Sequence, residues 1–330
     1  MYQICLLPGD GIGLEVVPAA RAVLEATGLK FNFVEARAGW ACFEDTGKSV
    51  PDETLAAIKA SDACLAGAFT SPKKKVAGFF SSIRYLRREL DLFANLRPAK
   101  SRPVAGSLPG IDMLMVRENT EGLYVAQERR YGDLALADVV ITRQASERIS
   151  KVAAEQAQKR RHKLAIIHKA NVLPVTSGFF LEIAQEVTAL YPDIHSYDLI
   201  VDAAAMLLVR DPGQFDVMVT TNLFGDILSD LMAGLVGGLG LAPSANIGET
   251  HAIFESVHGS APDIAGKGIA NPVATILSAA LMLEHLGEPE VAAAIDQAVN
   301  TALSQDTLTP DLGGKATTEE FSNAIIRALG

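Results

Sequence analysis

The sequence predicts an α/β fold in which a sheet is covered by helices. Its first part reads as short apolar strands that alternate with amphipathic helices, beginning with "YQICLL", a glycine turn and the helical pattern "LEVVPAARAVLEAT". The chain has 330 residues, which is long for one compact domain, so two domains or one two-lobed unit are expected. Its composition, 49% hydrophobic and 21% charged, is that of an ordinary globular protein.

The same alternation continues along the chain. "KFNFVEA" predicts a second strand, and "SVPDETLAAIKASDACLAGAF" predicts a helix followed by a strand, whereas "IRYLRRELDLF" has helical spacing after a basic loop. "KLAIIHKANVLP", "DLIVDAAAMLLV" and "FDVMVTTNLFG" each read as an apolar strand that ends in polar residues. Ligands of open α/β sheets bind at the carboxyl ends of strands, so Lys169, Asp202 and Asp226 are candidate site residues. The segment "PVATILSAALMLEHLG" predicts a buried helix.

The charge balance excludes several classes of protein. The formal net charge is −10, which argues against a nucleic-acid binder and against adsorption to an anionic membrane. The sequence has no apolar run of membrane-spanning length and no export signal at "MYQICLLPGDG", so we expect a cytoplasmic protein. Its three cysteines are widely spaced and predict neither a disulfide framework nor a zinc site.

Two glycine-rich segments are candidate phosphate-binding loops. "LPGDGIGLEV" lies between a strand and a helix, and Glu35 ends the next strand, but Leu14 occupies the position of the third glycine in a Rossmann fingerprint. This segment therefore predicts a tight turn with a helix N-terminus open to a ligand. "HGSAPDIAGKGIANP" is the better candidate, because its backbone amides can approach phosphates and Asp263 can accept from ribose hydroxyls, which favours NAD over NADP. An ordinary surface loop is the alternative.

The carboxylates suggest a metal site. Asp226 and Asp230 are four residues apart and share one helix face, and Asp202 follows another apolar segment. Three oxygen ligands without cysteine or histidine favour Mg²⁺ or Mn²⁺. The alternative for the helical pair is a helix cap with one solvated aspartate.

Cationic and proton-transfer residues complete the candidate set. The arginines at 84, 87, 88, 97 and 117 are concentrated in "IRYLRREL", "NLRP" and "VREN", which suits an anionic substrate because guanidinium groups bind carboxylates through two bonds. Arg84, Arg87 and Arg88 share one short helix. The alternative to a substrate site is a solvated helix face, and this interpretation suits Arg88 best. Lys169 and Tyr124 are candidate proton-transfer groups, although each alone is more often structural.

These segments together resemble the metal-dependent decarboxylating dehydrogenases of β-substituted malates, the isocitrate/isopropylmalate dehydrogenase family. The resemblance runs nearly end to end, through "GDGIG", "LRRELDLFANLRPAK", "VRENTEGLY", "HKANVLP", "VDAAAM", "TTNLFGDILSDLMAGLVGGLGLAPSANIG" and "FESVHGSAPDIAGKGIANP". It implies a two-domain α/β fold with a mixed sheet that is not a Rossmann fold. Residues 1–97 and 238–330 would form a discontinuous large domain on the cofactor side, and residues 98–237 a small domain with the metal site and dimer interface.

The resemblance also implies an obligate homodimer, or a tetramer, with shared active sites. The arm "VAQERRYGDLALADVVITRQ" would clasp the other subunit, and Lys169 and Asp202 would reach into the partner's site. The implied metal ligands are Asp202, Asp226 and Asp230, and the implied catalytic residues are Tyr124 and Lys169. The implied substrate contacts are Ser71, Arg84, Arg87, Arg97, Arg117, Tyr124, Lys169 and Asn171. The implied NAD contacts are Thr70, Ser71, Asn171, Glu255, His258, Gly259, Ser260, Ala261, Pro262, Asp263, Ile264 and, near the adenine, Asn271.

The segment "SPKKKVAGFFSSIRYLRREL" is expected to select the malate. "IRYLRR" resembles the homoisocitrate-using members of the family, which serve lysine biosynthesis through α-aminoadipate, and Arg84 would pair with the extra carboxylate of homoisocitrate. Isocitrate is expected as a second substrate, since a side chain of this length can reach its carboxylate too. Oxidation of 3-isopropylmalate, or of isocitrate alone, is the alternative activity.

Overall fold

A computed structural model describes the whole chain except residues 73, 75 and 306. Lys73 and Lys75, which belong to the predicted specificity segment, therefore lie outside the described residues. The strands are β1 (Tyr2–Leu7), β2 (Phe31–Glu35), β3 (Ala63–Ala66), β4 (Ala94–Lys100), β5 (Asp112–Glu118), β6 (Glu128–Tyr131), β7 (Leu134–Ala137), β8 (Lys163–His168), β9 (His195–Ile200), β10 (Val217–Thr220), β11 (Pro243–Ile247) and β12 (Ala252–Ser256).

The helices alternate with these strands, as the sequence predicts. They are α1 (Gly13–Ala26), α2 (Trp40–Thr46), α3 (Asp52–Lys59), α4 (Ser82–Glu89), α5 (Arg143–Gln158), α6 (Thr176–Thr188), α7 (Val201–Arg210), α8 (Asn222–Leu235), α9 (Val273–His285), α10 (Pro289–Leu303) and α11 (Thr318–Leu329). Short 3₁₀ segments occur at Leu123–Val125, Pro212–Gln214, Leu239–Leu241 and Pro310–Leu312. Across the described residues, no helix combines the length and apolar character needed to cross a membrane.

The first of two compact units comprises Met1–Asp91, Arg102–Ser107 and Gly237–Gly330. Its strands lie in the order β2-β1-β3-β12-β11, and all pairs are parallel except β11 with β12. Strand β3 is buried along its whole length, as expected of a parallel strand with both faces covered. Helix α9 packs on β11 and β12 and is almost entirely buried, which confirms the buried helix predicted there.

The second unit comprises Leu92–Ser101 and Leu108–Val236. Its strands lie in the order β4-β5-β10-β8-β9, with β4 antiparallel to β5 and the others parallel. One face of these strands packs against α7 and α8, through a core that includes Met115, Met218, Leu208, Leu228 and Met232. Both units thus contain a mixed sheet, and the predicted α/β fold is confirmed. The proposed domain boundaries at residues 97 and 237 stay a prediction.

One part of the second unit differs from the prediction. "DLIVDAAAMLLV" is not a single strand, because β9 ends at Ile200 and residues 201–210 form α7. The buried residues of α7, Ala204 and Leu208, are four apart and face the core as one helical stripe. A continuous apolar run has no strand or helix period of its own, so the sequence alone could not separate the two elements. Asp202 consequently stands in the first turn of a helix and not at the end of a strand.

Strands β6 and β7 form a separate two-stranded antiparallel ribbon in the second unit. Every residue of both strands is exposed, including the apolar side chains Tyr131, Leu134 and Leu136. The ribbon lies within the segment predicted to be a dimer arm. A bridge between Gly122 and Val140 closes its base.

Candidate active site

Asp226 is the centre of a charged cluster in the second unit. Its carboxylate accepts hydrogen bonds from Arg117, from Arg97 Nη1 at 3.2 Å and from the Tyr124 hydroxyl. The Arg117 guanidinium also lies over the Tyr124 ring, 4.9 Å from its centroid. Arg97 Nη1 additionally lies 3.5 Å from the carboxylate of Asp230. The structure therefore brings the predicted carboxylate pair together with two arginines and a tyrosine that the sequence analysis had marked separately.

Neighbouring elements explain why these side chains meet. Arg97 and Arg117 stand on the paired strands β4 and β5, and Asp226 and Asp230 stand on α8, which packs on β5. Gly225 permits this packing, because a Cβ there would lie 2.7 Å from Cγ of Arg117. With no side chain at that position, α8 can approach the arginine closely.

Buried amides and hydroxyls fix the two guanidinium groups. Asn222 Oδ1 accepts from Arg117 at 2.7 and 3.1 Å, and Asn95 Oδ1 accepts from Arg97 Nε at 2.6 Å. Ser229 Oγ accepts from Arg97 Nη1 at 2.8 Å. Sequence reasoning missed all three of these polar residues. Asn222 and Ser229 lie on the same helix as the two aspartates, which is the one signal that could have indicated them.

The surroundings raise the pKa of two candidate residues, Tyr124 and Asp230. Burial, with the hydrogen bond to Asp226 as the next cause, raises the pKa of Tyr124, so the phenol holds its proton at neutral pH. Partial burial raises the pKa of the Asp230 carboxyl, opposed by Arg97 and reinforced by the charge of Asp226. A bound cation would stabilise the ionised form of Asp230 and reverse this effect.

The donor chemistry of the cluster fits a hard divalent cation. Oδ1 of Asp226 and Oδ1 of Asp230 both lie within 3.5 Å of one cationic nitrogen, Arg97 Nη1, so the two carboxylates already converge on a positive charge. Asp202 does not join them, because no set of three His, Cys, Asp or Glu side chains in the described residues of one chain is placed to hold a metal. It pairs instead with Lys169 Nζ, and the hydrogen bond from this ammonium group lowers the pKa of the Asp202 carboxyl.

In the first unit, the two glycine-rich segments lie against each other. Ile12 donates its backbone N–H to the Ser260 carbonyl at 3.0 Å, and the Thr70 hydroxyl donates to Ser260 Oγ at 2.7 Å. A Cβ at Gly11, whose φ is +57°, would collide with the same Ser260 carbonyl. The turn is thus packed against protein, as a tight strand-to-helix connection. Glu35, the false ribose ligand, is exposed and pairs with Arg21 at 3.2 Å.

Asp10 is a functional candidate that sequence reasoning missed. Its buried carboxylate accepts from the backbone N–H groups of Trp40 and Thr70 at 2.8 Å and of Ala41 at 3.0 Å. It therefore holds Thr70, a predicted cofactor contact, against the start of α2. An acidic residue inside a glycine turn was the available signal.

The predicted cofactor loop offers a buried acceptor. Burial lowers the pKa of His258, so its imidazole is neutral, and Nδ1 lies 3.0 Å from the Gly259 carbonyl. Nε2 is buried and finds no hydrogen-bond partner in the described part of the chain. A buried polar atom of this kind is stabilised when a ligand hydroxyl or amide pairs with it, which fits a nucleotide cofactor.

The other predicted residues fall into three groups. Ser71, Arg84, Asn171, Gly259, Pro262 and Asp263 are exposed. Ala261 and Ile264 are partly buried and pack against Ile12 and Val16. Asn271 is buried, where its amide donates to Asp311 at 2.9 Å and accepts from the N–H of Val273 at 3.0 Å, so its nitrogen and its oxygen both have protein partners.

Arg87 and Glu255, a predicted substrate contact and a predicted cofactor contact, are partners in the first unit. Arg87 Nη2 lies 3.0 Å from Glu255 Oε1, and both side chains are nine-tenths buried. Asn246 bonds to both of them. Arg84, three residues earlier on α4, is exposed, so Arg84 and Arg87 have different surroundings on the same helix.

Comparison with known proteins gives the same assignment over the whole chain. Residues 3–325 match the family described as isocitrate/isopropylmalate dehydrogenase. An isocitrate/homoisocitrate dehydrogenase of Thermus thermophilus is 64% identical over 329 residues, 99% of this chain and 98% of that protein. A 3-isopropylmalate dehydrogenase of Archaeoglobus fulgidus is 51% identical over 331 residues, 100% of each. The crystal structure of isocitrate dehydrogenase from Methylococcus capsulatus is 46% identical with a TM-score of 0.94, covering 100% of this chain and 99% of that one.

Proposed function

The chain belongs to the isocitrate/isopropylmalate dehydrogenase family, a family of decarboxylating dehydrogenases, and from that premise we propose NAD-dependent oxidative decarboxylation of homoisocitrate to 2-oxoadipate. Isocitrate is the proposed second substrate, and lysine biosynthesis through α-aminoadipate is the proposed role. The observation that carries this choice is Arg84, a cationic side chain exposed on α4. A guanidinium suits the third carboxylate of these substrates and offers nothing to the isopropyl group of 3-isopropylmalate.

The malate carboxylates are assigned to Arg87, Arg97 and Arg117. All three guanidinium groups are nearly buried and are held by amide oxygens, so little side-chain entropy remains to be lost on binding. Their charges are compensated by Asp226 and Glu255, which holds the guanidinium groups in a fixed orientation before an anion arrives.

The proposed Mg²⁺ or Mn²⁺ would be held by Asp226, Asp230 and Asp202 of the partner subunit. When bound, the metal would stabilise negative charge on the substrate oxygens during oxidation and decarboxylation. With the site occupied, the substrate carboxylates would take over contacts to Arg97 and Arg117 that Asp226 and Asp230 now make.

Two residues are assigned to proton transfer. Lys169 of the partner subunit would take the proton of the substrate hydroxyl while the carbon that bears this hydroxyl loses a hydride to NAD. The β-keto acid then loses carbon dioxide, and Tyr124 would donate its proton to the carbon of the resulting enol. The raised pKa of Tyr124 supports this role, because a donor must be protonated when the enol forms.

The shared site requires a homodimer, which the exposed surface of the second unit supports. Asp202, Met206 and Val209 lie at helical spacing on the exposed face of α7, and Val209 is 57% exposed. A second copy of the chain that covered this apolar stripe would also cover Asp202. The exposed apolar residues of the β6–β7 ribbon suit the same partner.

The cofactor is assigned to the loop that begins at His258. Nε2 of His258, which has no partner among the described residues, can accept from the cofactor, and the hydroxyls of Thr70 and Ser260, which bond to each other, are further proposed contacts in the first unit. Asp263 is exposed and would accept from ribose hydroxyls while repelling a 2′-phosphate. NAD is therefore the proposed oxidant.

The reaction class is tested by its products. Given homoisocitrate, NAD and Mn²⁺, the protein should form NADH and carbon dioxide in equal amounts, and addition of EDTA should stop both. The Tyr124→Phe variant should still bind NAD but form 2-oxoadipate slowly, because it retains the ring and loses the proton that the enol carbon receives. NADH without carbon dioxide, or undiminished turnover in EDTA, would contradict the proposal.

A further inference from the structure

Arg87, Asn246 and Glu255 form a closed ring of hydrogen bonds in the first unit. Arg87 Nε donates to Asn246 Oδ1 at 2.9 Å, Asn246 Nδ2 donates to Glu255 Oε1 at 2.8 Å, and Arg87 Nη2 donates to the same oxygen at 3.0 Å. Asn246 is completely buried, and its amide also donates to the carbonyl of Ile253 at 3.2 Å. The asparagine is therefore fixed from several sides.

Sheet register produces this arrangement. In the antiparallel pair of β11 and β12, Ser244 lies opposite Glu255 and Asn246 lies opposite Ile253. Asn246 and Glu255 are thus diagonal neighbours on one face of the sheet, within reach of each other's side chains. Both side chains contact Arg87 of α4.

The asparagine changes how the two charges meet. A carboxylate beside a guanidinium favours two parallel bonds, for which Nε and Nη2 form one of the available edges. Asn246 occupies Nε and also binds Oε1, so Glu255 meets Arg87 through one oxygen only. Within the described residues, Arg87 Nη1 and Glu255 Oε2 take part in no hydrogen bond.

We propose that Asn246 is a positioning residue that prevents Arg87 and Glu255 from closing a two-oxygen pair. Arg87 thereby keeps a terminal nitrogen for a substrate carboxylate, and Glu255 keeps an oxygen for a hydroxyl of the cofactor. This assignment rests on the proposed function, in which Arg87 binds the malate and Glu255 binds NAD. Because one ion pair then serves both ligands, binding of either orients the group that receives the other, and the two affinities are coupled.

Two variants separate positioning from support of the fold. Asn246→Leu is similar in size and removes the contacts to Arg87 and to Glu255, so Glu255 can take both Nε and Nη2. Asn246→Asp retains the oxygen at Nε, loses the donor to Glu255 and adds a charge that competes for Arg87. The matched control is Ser278→Ala, which removes a buried hydroxyl whose partners are backbone groups of these two strands and of α9.

The readouts are the dissociation constant for NAD, measured by calorimetry on the metal-free protein, and the KM and kcat for homoisocitrate. Both variants should weaken NAD binding and raise the KM for the malate by about tenfold, the loss expected for one charge-assisted hydrogen bond, with a smaller change in kcat. Ser278→Ala should lower the melting temperature and leave both binding constants unchanged.

The proposal would be overturned if either folded variant kept both binding constants within about twofold of the wild type, a factor well below the loss of one such bond. Asn246→Asp, the near-isosteric change, decides the matter if Asn246→Leu does not fold. A wild-type protein that bound NAD but oxidised no malate would refute the proposed function, and the NAD titration of the variants would still decide the role of Asn246. A wild-type protein that bound no NAD would refute both.

Discussion

Replacing Asp226 by asparagine removes the charge on which the cluster of the second unit depends. The carboxylate accepts from Arg97, Arg117 and the Tyr124 hydroxyl. An asparagine has the same shape and keeps one acceptor oxygen. Its amide nitrogen is a hydrogen-bond donor, and it would face the arginine and tyrosine groups that are themselves donors. Two guanidinium charges therefore lose their principal counter-charge while they stay in place.

The magnitude follows from the burial of the partners. Arg117 is 1% exposed and Arg97 is 9% exposed at the side chain, so neither charge can turn to water without unpacking. Removing one partner of a fully buried ion pair costs about 3–5 kcal/mol. Asp226 is 34% exposed and Asp230 remains beside Arg97, so the value of one charge-assisted hydrogen bond, about 1.5–3 kcal/mol, is expected here.

The Asp226→Asn substitution should also weaken metal binding, and this effect should be larger than the loss of folding stability. Loss of a residue that merely orients a metal ligand costs about 10–100-fold in affinity, so loss of Asp226, a proposed ligand, should cost at least about 100-fold. Urea unfolding in EDTA measures the first effect, and calorimetric titration with Mn²⁺ measures the second. Asp45→Asn, at an exposed pair with Arg37, is the control and should change neither. Unchanged Mn²⁺ affinity in the Asp226 variant would refute the ligand assignment.

Three further changes test other parts of the site. Gly225→Ala places a Cβ 2.7 Å from Cγ of Arg117, so it should cost about 1–3 kcal/mol of stability and raise the KM for the malate; a normal KM would show that α8 can shift without moving the arginine. Arg84→Val should lower kcat/KM for homoisocitrate about tenfold or more relative to 3-isopropylmalate, and an unchanged ratio would refute the specificity argument. Because burial raises the pKa of Asp230, Mn²⁺ affinity should increase with pH through that pKa, as the carboxyl loses its proton. Asp230→Asn should abolish this pH dependence. A variant that kept it would show that Asp230 is not the group that titrates.

The sequence predicted the elements of the fold because their periodicities were clear. Alternating strands and helices, and a helix as apolar as α9, leave few other arrangements. The helix at residues 201–210 was not predicted, because its exposed face carries apolar residues such as Met206 and Val209 and so continues the apolar run of β9 without a helical period.

The site was predictable where spacing or strand pairing fixes proximity. Asp226 and Asp230 had to share a helix face, and they do. The buried amides Asn95, Asn222 and Asn246 were not predictable, because a polar residue in an apolar strand or helix shows neither its depth nor its partner. The third proposed ligand, Asp202, depends on a second chain, which no local pattern specifies.

The central claim, that this site oxidises a malate with an additional carboxylate, is tested most directly by kcat/KM for homoisocitrate, isocitrate and 3-isopropylmalate with NAD and Mn²⁺. Homoisocitrate should give the highest value, with isocitrate second and 3-isopropylmalate at least about tenfold below homoisocitrate, because only the first two offer a carboxylate to Arg84. A kcat/KM for 3-isopropylmalate equal to or above that for homoisocitrate would contradict it.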